Sequence, residues 1–571
     1  MPINPDSKKD LEAIPFSRAG TFLCFSIINQ EKAHRKEIPQ GLWFRSVHGA
    51  GSQEIAHIEL AEGGQSCPYN IESTPSKLTL RTQKGKVELC ISSSSTVRLR
   101  LTRTSLQFNF PVFRNHGVIQ ESPSSWMINL AGTFHSYRLI ALSGDIEMDA
   151  PWETKRCQHI KVNFSSKNQD PAEFAIEQLT WTAPPLKHDT PFEKICLDTQ
   201  EEFVSFAKPY LNGPDHLFEA SHRAAYLNWS CLVPPSGNIT RPAMFMSNNG
   251  MTNIWAWDHA FNALATQLTS PDLAWDQLMV IFDHQNEEGQ IPDYFNDVNL
   301  LTTFVKPPIH GWILSLIIEF GGPLTQSRAE EAYHKLSKWT LWWLKHRNPD
   351  GDDLPVYWHG NDSGWDNATS FDLPFPIKSP ELASFLILQM ECLAQLAQSL
   401  GLSREAQAWK KNSEEVLSKL LEKLWNGNTF KALSTATGQS APNSDSIFNC
   451  LPIVLGERLP LAIRDALAIE IKRHLTEWGP ATEHPNSPSY EANGYWRGPI
   501  WAPPVMILVD GCMKAGQNDL ALDIASRFCK LCQKSGFAEN FDAISGRPLC
   551  DPGYTWTSSI FLILSQRYLS L

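Results

Sequence analysis

Two periods divide the chain. From about residue 20 to 182, apolar positions alternate with polar ones in short runs, KLTLRTQ (77–83), KVELCIS (86–92), TVRLRLTRT (96–104) and HIKVNF (159–164), separated by Gly, Ser and Pro. Period-2 runs rich in Val, Ile, Thr and Phe mark half-buried strands, so residues 1–182 are read as an antiparallel β-sandwich domain. The stretch APPLKHDTPFEK (183–194) carries three prolines and mixed charge, and residues 183–199 are read as a linker. Residues 200–571 follow a helical period instead.

Twelve helical segments are expected from about residue 217, joined by connections of two lengths. Short ones fall at SPD near 270, GGPLT at 321–325, Gly401, GE at 456–457 and Gly516, and long ones at roughly 233–254, 286–306, 347–379, 425–444, 476–496 and 535–554. The helices alternate too. Segment 403–424 keeps Ala406, Trp409, Val416, Leu417, Leu420 and Leu424 on one stripe and its charges elsewhere, whereas 307–320, 380–401 and 555–570 are apolar nearly all round. Amphipathic helices lie outside and apolar ones inside, which for twelve in strict alternation predicts a mainly α chain built on an (α/α)6 toroid, with residues 200–571 as its catalytic domain. Every long loop then emerges on one face, and long loops inside a compact domain carry function.

Composition narrows the partners. The net charge of −12, from 49 basic and 61 acidic residues, excludes nucleic acid and anionic membrane as main partners, since both call for a basic footprint. The N-terminal MPINPDSKKDLEAIPFSRAG is polar where a signal peptide is apolar, and no apolar run reaches 18 residues, so a cytoplasmic protein is expected. For that reason the N-x-S/T triplets at Asn163, Asn228, Asn238, Asn361 and Asn367 are read as accidental. Twelve scattered cysteines read as free thiols, and the lone CxxC at Cys529 and Cys532 sits in an amphipathic helix with no second pair to complete a zinc site. DGDDLP at 350–355 opens like a calcium loop but has Pro355 where Gly is needed and Asn361 where the bidentate Glu belongs. No metal or cofactor is expected, and oligomeric state is left open.

The long loops hold the unusual clusters: MTNIWAWDHAF (251–261), EEGQIPDYFND (287–297), YWHGNDSGWDNATSF (357–371), ATEHPNSPSYEANGYWRGPIWAPP (481–504) and GFAENFDAISGRP (536–548). Sixteen of the twenty tryptophans fall in residues 191–571, and Trp257, Trp365, Trp496 and Trp501 each sit near charged residues in Gly- or Pro-rich loops. An indole offers an apolar face to sugar C–H groups, and Asp, Glu, Asn and Arg around it suit hydroxyls, so a small oligosaccharide or glycoside is the expected partner. Cleaving a glycosidic bond needs one carboxylic acid to protonate the leaving oxygen and one carboxylate to activate water or attack carbon. Asp366, with Trp365 before it and Trp358 nearby, fits the acid, because a dry, aromatic surrounding raises a carboxyl pKa. Glu539 fits the base. Asp362 and Asp542 compete for the same roles, with an N-cap or turn function as their plainer reading.

In order, the motifs WAWDHAF, GQIPDYF, GNDSGWDNAT, GYWRGPIWAP and FAENFDAISGRP resemble glycoside hydrolase family 63, particularly its bacterial α-glucosidases and the mannosylglycerate and glucosylglycerate hydrolases, over roughly residues 200–571. The resemblance implies that Asp366 is the general acid and Glu539 the general base of an inverting mechanism. It further implies that Asp258 holds sugar hydroxyls and that Tyr495, Trp496 and Arg497 line the substrate. Trp257, Gln290, Gly364, Trp365, Asn367 and Trp501 complete the expected binding set. A short α-linked glucoside is the first expectation for substrate, with a glucosyl- or mannosylglycerate as the alternative. The latter would need a cation or N–H donors for its carboxylate, for which Arg241, Lys306 and Arg497 are the candidates in these loops.

Two other classes compete. Sugar epimerases on similar helical rings move protons with histidine pairs, and His259, His310, His359 and His484 lie in or beside the same loops. Water-dependent release of a monosaccharide separates hydrolysis from epimerisation. A sugar-binding protein without catalysis is the other reading, and the presence of both carboxylates argues against it.

Overall fold

The computed structural model describes residues 11–29, 38–49, 53–62, 65–166, 170–349, 351 and 354–570. Residues 1–10 of the polar N-terminal stretch, and Asp350, Asp352 and Asp353 of the DGDDLP run, lie outside the described residues. The chain forms two compact units: residues up to Phe206 with Trp229–Pro234 and Ser247–Thr252, and Ala207–Asn228 with Pro235–Met246 and residues from Asn253 onward.

The first unit is two antiparallel sheets face to face. One runs in the order Leu23–Ile28, Gly41–Ser46, Gln53–Glu62, Ser105–Phe110, Ile160–Ser165 and Asp145–Asp149, with Gln65–Ser66 beside the third strand. The other runs Gly117–Ser122, Ser125–Asn129, Ser136–Ala141, Ala172–Leu179, Thr96–Thr102, Lys86–Ser93, Lys77–Arg81 and Asn70–Thr74. Alternation puts Leu106, Phe108 and Phe110 inward, and Phe44 meets Tyr137 across the sheets at 5.7 Å while Phe164 meets Phe174 at 5.2 Å. The linker reading of 183–199 is corrected at its second half. Helix α1 (Phe192–Ala207) starts directly after Pro191, because Phe192 and Ile195 have an apolar surface to cover at Cys90 on the outer face of the second sheet.

In the second unit the helices come as hairpins. After α2 (Phe218–Ser230), whose last residues belong to the first unit, follow α3 (Asp258–Thr266) and α4 (Pro271–Met279), α5 (His310–Gly321) and α6 (Gln326–His346), and α7 (Pro380–Ser399) and α8 (Ser403–Lys423). The 3₁₀ segment Ile447–Arg458 precedes α9 (Leu461–Arg473), and then come α10 (Ala502–Lys514), α11 (Asn518–Ser535) and α12 (Thr555–Ile563). The segment expected as the eighth helix is 3₁₀ because Pro452 removes a backbone donor and Gly456 breaks the helical path at φ +54°. The first member of each hairpin is buried nearly all round: α3 packs on α5, α5 on α7, α7 on the 3₁₀ segment, that segment on α10, α10 on α12, and α12 back on α3. Polar residues lock this closure. Asn262 of α3 donates to Thr555 at 2.9 Å and accepts from Ser559 at 2.8 Å, while Asn228 of α2 donates to Ser559 at 3.0 Å. Among the described residues no helix is long and apolar enough to cross a membrane.

The long loops are better ordered than the sequence predicts. Three small antiparallel sheets tie them together in pairs: Ile254–Trp255, Tyr294–Phe295 and Leu300–Leu301; Val356–Tyr357, Ile377–Lys378 and Leu433–Ser434; Ile500–Trp501, Asn540–Phe541 and Pro548–Leu549. Each sheet thus clamps two consecutive long loops at the ends of the buried helices.

Candidate active site

Glu539 lies directly before one of these clamped strands. Helix α11 ends at Gly536, whose φ of +79° costs glycine nothing, and the chain turns inward. The Glu539 N–H donates to the Asp551 carbonyl at 2.7 Å, which fixes the backbone. At the side chain, the Tyr495 hydroxyl donates to Oε1 at 3.3 Å and the Asp551 N–H to Oε2 at 3.3 Å. Burial, reinforced by the Asp551 charge, nevertheless pushes the Glu539 carboxyl up to about 8.

Asp366 stands in a loop that is anchored on both sides of it. On one side Asp362 is fully buried, accepting from Arg347 at 2.7 Å and from the N–H groups of Trp358 and Val305. Two glycines let the chain pass: a Cβ on Gly360 would stand 2.0 Å from the Asp366 carbonyl oxygen, and one on Gly364, at φ +73°, 2.5 Å from the Trp257 ring. On the other side Thr369 donates to the buried Glu483 at 2.6 Å, and Asn367 donates to the Gly494 carbonyl and accepts from the Trp496 N–H, both at 3.0 Å. Burial raises the Asp366 pKa, against the charges of Lys306 and His359 and a bond from its own N–H.

Asp258 begins α3, where a carboxylate faces the positive end of the helix. It accepts from the Tyr554 hydroxyl at 3.1 Å, and burial, offset in part by Lys306, pushes it up to about 7. Lys306 is itself buried, 3.1 Å from Asp293 and donating to the Asn361 carbonyl at 2.7 Å. Asp258, Asp293 and Asp366 all lie within electrostatic reach of this ammonium.

Tyr495 gathers the set. Its phenol is driven far above its ordinary range, first by burial and then by the charges of Glu539, Asp366, Cys550 and Asp258. Carboxyls from three separate segments therefore lie within electrostatic reach of one phenol, of which Glu539 bonds it, and Tyr495 holds that place with φ +62°, an uncommon conformation for a bulky residue. The open indole faces expected from sequence are not what the structure shows. Trp496 stacks on Trp501 at 4.0 Å and 7°, Trp365 meets Trp496 at 4.6 Å, and Trp257 packs on Trp496 and Trp556, leaving all four nearly fully buried. The rings pack on each other in place of solvent-facing positions.

The other expected residues divide. Arg497 donates to the Asn367 carbonyl at 2.8 Å and pairs with Asp372, so it pins the Asp366 loop. Arg241 is taken up by Asp283 and Glu331. Gln290 bonds the Thr302 carbonyl at 3.0 Å and Asn286, and serves the turn of its own loop. Asp542 caps a turn through the N–H groups of Ile544 and Ser545. His259 and His310 are neighbours at 5.3 Å but fully buried, and burial lowers His259 to about 4 and holds His310 well below the usual imidazole range, so both favour the neutral form. Cys529 and Cys532 are free, buried thiols whose pKa burial raises. Asp551, Tyr554 and Glu483 were not anticipated. Tyr554, immediately before the apolar run 555–570, had a readable position, and the other two had none.

A family model described as the mannosylglycerate hydrolase MGH1-like glycoside hydrolase domain matches residues 251–557. The mannosylglycerate hydrolase of Rubrobacter radiotolerans is 22% identical over 434 residues, covering 59% of this chain and 93% of that protein. Among solved structures, a GH63 mannosylglycerate hydrolase from Thermus thermophilus in complex with glucose superposes with a TM-score of 0.52 at 20% identity, over 60% of this chain and 98% of its own. A bacterial glucoamylase complexed with acarbose reaches a TM-score of 0.65 at 11% identity, over 98% of this chain and 95% of its own.

Proposed function

Since the chain belongs to the mannosylglycerate hydrolase MGH1-like family of glycoside hydrolases, within glycoside hydrolase family 63, and is a glycosidase, we propose that it hydrolyses a short α-linked glycoside of glycerate with inversion. The circuit of buried helices is, on this reading, the inner wall of an (α/α)6 toroid, with the clamped loops at its mouth. The observation that carries the proposal is the bond of the Tyr495 hydroxyl to Glu539 at 3.3 Å, with Asp366 and Asp258 within electrostatic reach of the same phenol.

Asp366, made proton-retaining by burial, gives its proton to the glycosidic oxygen as the bond to the anomeric carbon breaks. Glu539 takes a proton from a water on the other face of the ring, and that water's oxygen forms the new bond. The Tyr495 hydroxyl and Asp551 N–H donate to Glu539 and so orient the carboxylate that acts as base. Asp258, at a helix N-terminus and bonded by Tyr554, accepts from sugar hydroxyls. Specificity for glycerate over a second sugar then rests on N–H and O–H donors, because the three candidate cations have protein partners: Arg497 with Asp372, Arg241 with Asp283 and Glu331, and Lys306 with Asp293.

That engagement of the cations favours one other substrate, a neutral α-glucoside. Mannosylglycerate, glucosylglycerate and a panel of neutral α-disaccharides, each followed by NMR of the fresh anomer, separate the two. Turnover of the glycerates with release of the β-anomer is expected. Turnover confined to the neutral sugars removes the glycerate reading, and release of the α-anomer removes inversion.

A further inference from the structure

A second set of donors meets at the end of α9. Asp445, Glu470 and His474 each bring one ligand atom within 4.8 Å of the other two. Glu470 and His474 lie four residues apart, on one helix face, and Asp445 enters from the chain just ahead of the 3₁₀ segment. The His474 side chain is 1% exposed. Its Nδ1 lies 3.0 Å from the Ala481 carbonyl, an acceptor, so Nδ1 carries a ring proton and Nε2 is the atom left for a lone pair or a second proton. Nε2 has no hydrogen-bond partner and is aimed between Glu470 Oε1 at 3.8 Å and Asp445 Oδ1 at 3.9 Å.

A buried lone pair facing two carboxylates is unfavourable unless a cation sits among them. Nitrogen and oxygen ligands ~2.0–2.2 Å from one ion stand roughly 3–4 Å from each other, and His474 Nε2 stands 3.8 and 3.9 Å from the two carboxylate oxygens. The outer partners are also in place. Arg473 donates to Asp445 Oδ2 at 3.0 Å and to Glu470, and His474 is oriented by a backbone carbonyl. His484 flanks the group, its Nδ1 3.9 Å from Asp445 Oδ2 and accepting from the Asn486 N–H at 3.2 Å. One imidazole with two carboxylates suits zinc better than calcium or magnesium, which take all-oxygen sets.

We infer that Asp445, Glu470 and His474 bind a divalent transition-metal ion of the zinc type, outside the catalytic chemistry. The ion would brace the chain on either side of the Ser446–Glu483 bridge, where the Asp445 N–H donates to Glu483. A proton on His474 Nε2 is the competing occupant, and the two respond to different reagents.

The test uses the full chain, free of any histidine tag and stripped with a chelator. Titration with Zn²⁺ alone is expected to give one ion per chain and to raise the unfolding temperature by about 2 °C at a hundredfold excess over Kd. Co²⁺ is expected to give visible d–d absorption. His474→Gln should abolish uptake and absorption while glycosidase turnover changes less than twofold. A wild-type chain with no Zn²⁺ isotherm and no Co²⁺ absorption overturns the site in favour of the proton, as does a His474→Gln chain that binds as much metal as the parent. If His474→Gln does not fold, the wild-type stoichiometry and Co²⁺ spectrum decide.

Discussion

Glu539 is gripped by donors from two other segments, the Tyr495 hydroxyl and the Asp551 N–H, whereas the Asp366 carboxyl takes a bond from its own backbone and faces the charges of Lys306 and His359 across space. What is pinned around Asp366 is the loop, through Asp362, Asn367 and Thr369, and not the carboxyl itself. On the proposed mechanism, the difference is the one an inverting pair needs. A base that must hold a water in line benefits from fixed orientation, while an acid that follows a departing oxygen benefits from reach. The grip also sets up a contest, because two donors favour the ionised Glu539 while burial and the nearby Asp551 charge favour the protonated one, and the balance lies near 8.

The largest effect that bears on this contrast is the loss of either carboxyl's chemistry. Asp366→Asn and Glu539→Gln are each expected to lower kcat by about 10³-fold or more with ligand binding retained. Steady-state kinetics and sugar binding check this, and near-parental turnover in either variant breaks the corresponding role. Next comes the pinning of the Asp366 loop. Glu483→Ala leaves the Thr369 and Ser487 hydroxyls and the Asp445 N–H without their shared buried acceptor, and should cost about 3 kcal/mol in denaturant unfolding while reducing kcat. Gly364→Ala should cost about 1–3 kcal/mol and raise KM, since both φ and the Trp257 ring oppose a Cβ.

The smallest effect is the most discriminating. The pH profile of kcat/KM is expected to fall above about 8, the limb that Glu539 sets in the free enzyme. Glu539 is a carboxyl raised from its ordinary value by burial and by a like charge, so Asp551→Asn should lower its pKa and move that limb to lower pH. With Glu539 as base, the population carrying ionised Glu539 and protonated Asp366 grows and the maximum rises. With the roles exchanged the maximum falls.

Most of the helical architecture was legible because buried and exposed helices differ in how many faces are apolar, as α7 and α8 show side by side. The eighth helical segment was legible as an element but not as 3₁₀, since one proline and one glycine decide hydrogen-bond spacing without changing the apolar pattern. In the candidate site, Asp366, Glu539, Asp258 and Tyr495, the residues of the proposed mechanism, stand in motifs that the sequence displays. Asp551 was not, because its influence depends on a strand pairing that brings residues 540 and 549 together. The burial of the tryptophans was not legible for a related reason: a loop sequence shows that an indole is present but not which other indole covers it. Asn367 and Arg497, expected to touch substrate, instead bond to each other's loops, a long-range match that local spacing does not reveal.

The pairing of the six long connections into three small sheets bears on how this scaffold can change. A single transplanted connection would arrive without the strand that holds it, and its neighbour would be left with an open ladder. Altered selectivity is therefore best sought by exchanging adjacent connections two at a time, as three interchangeable cassettes.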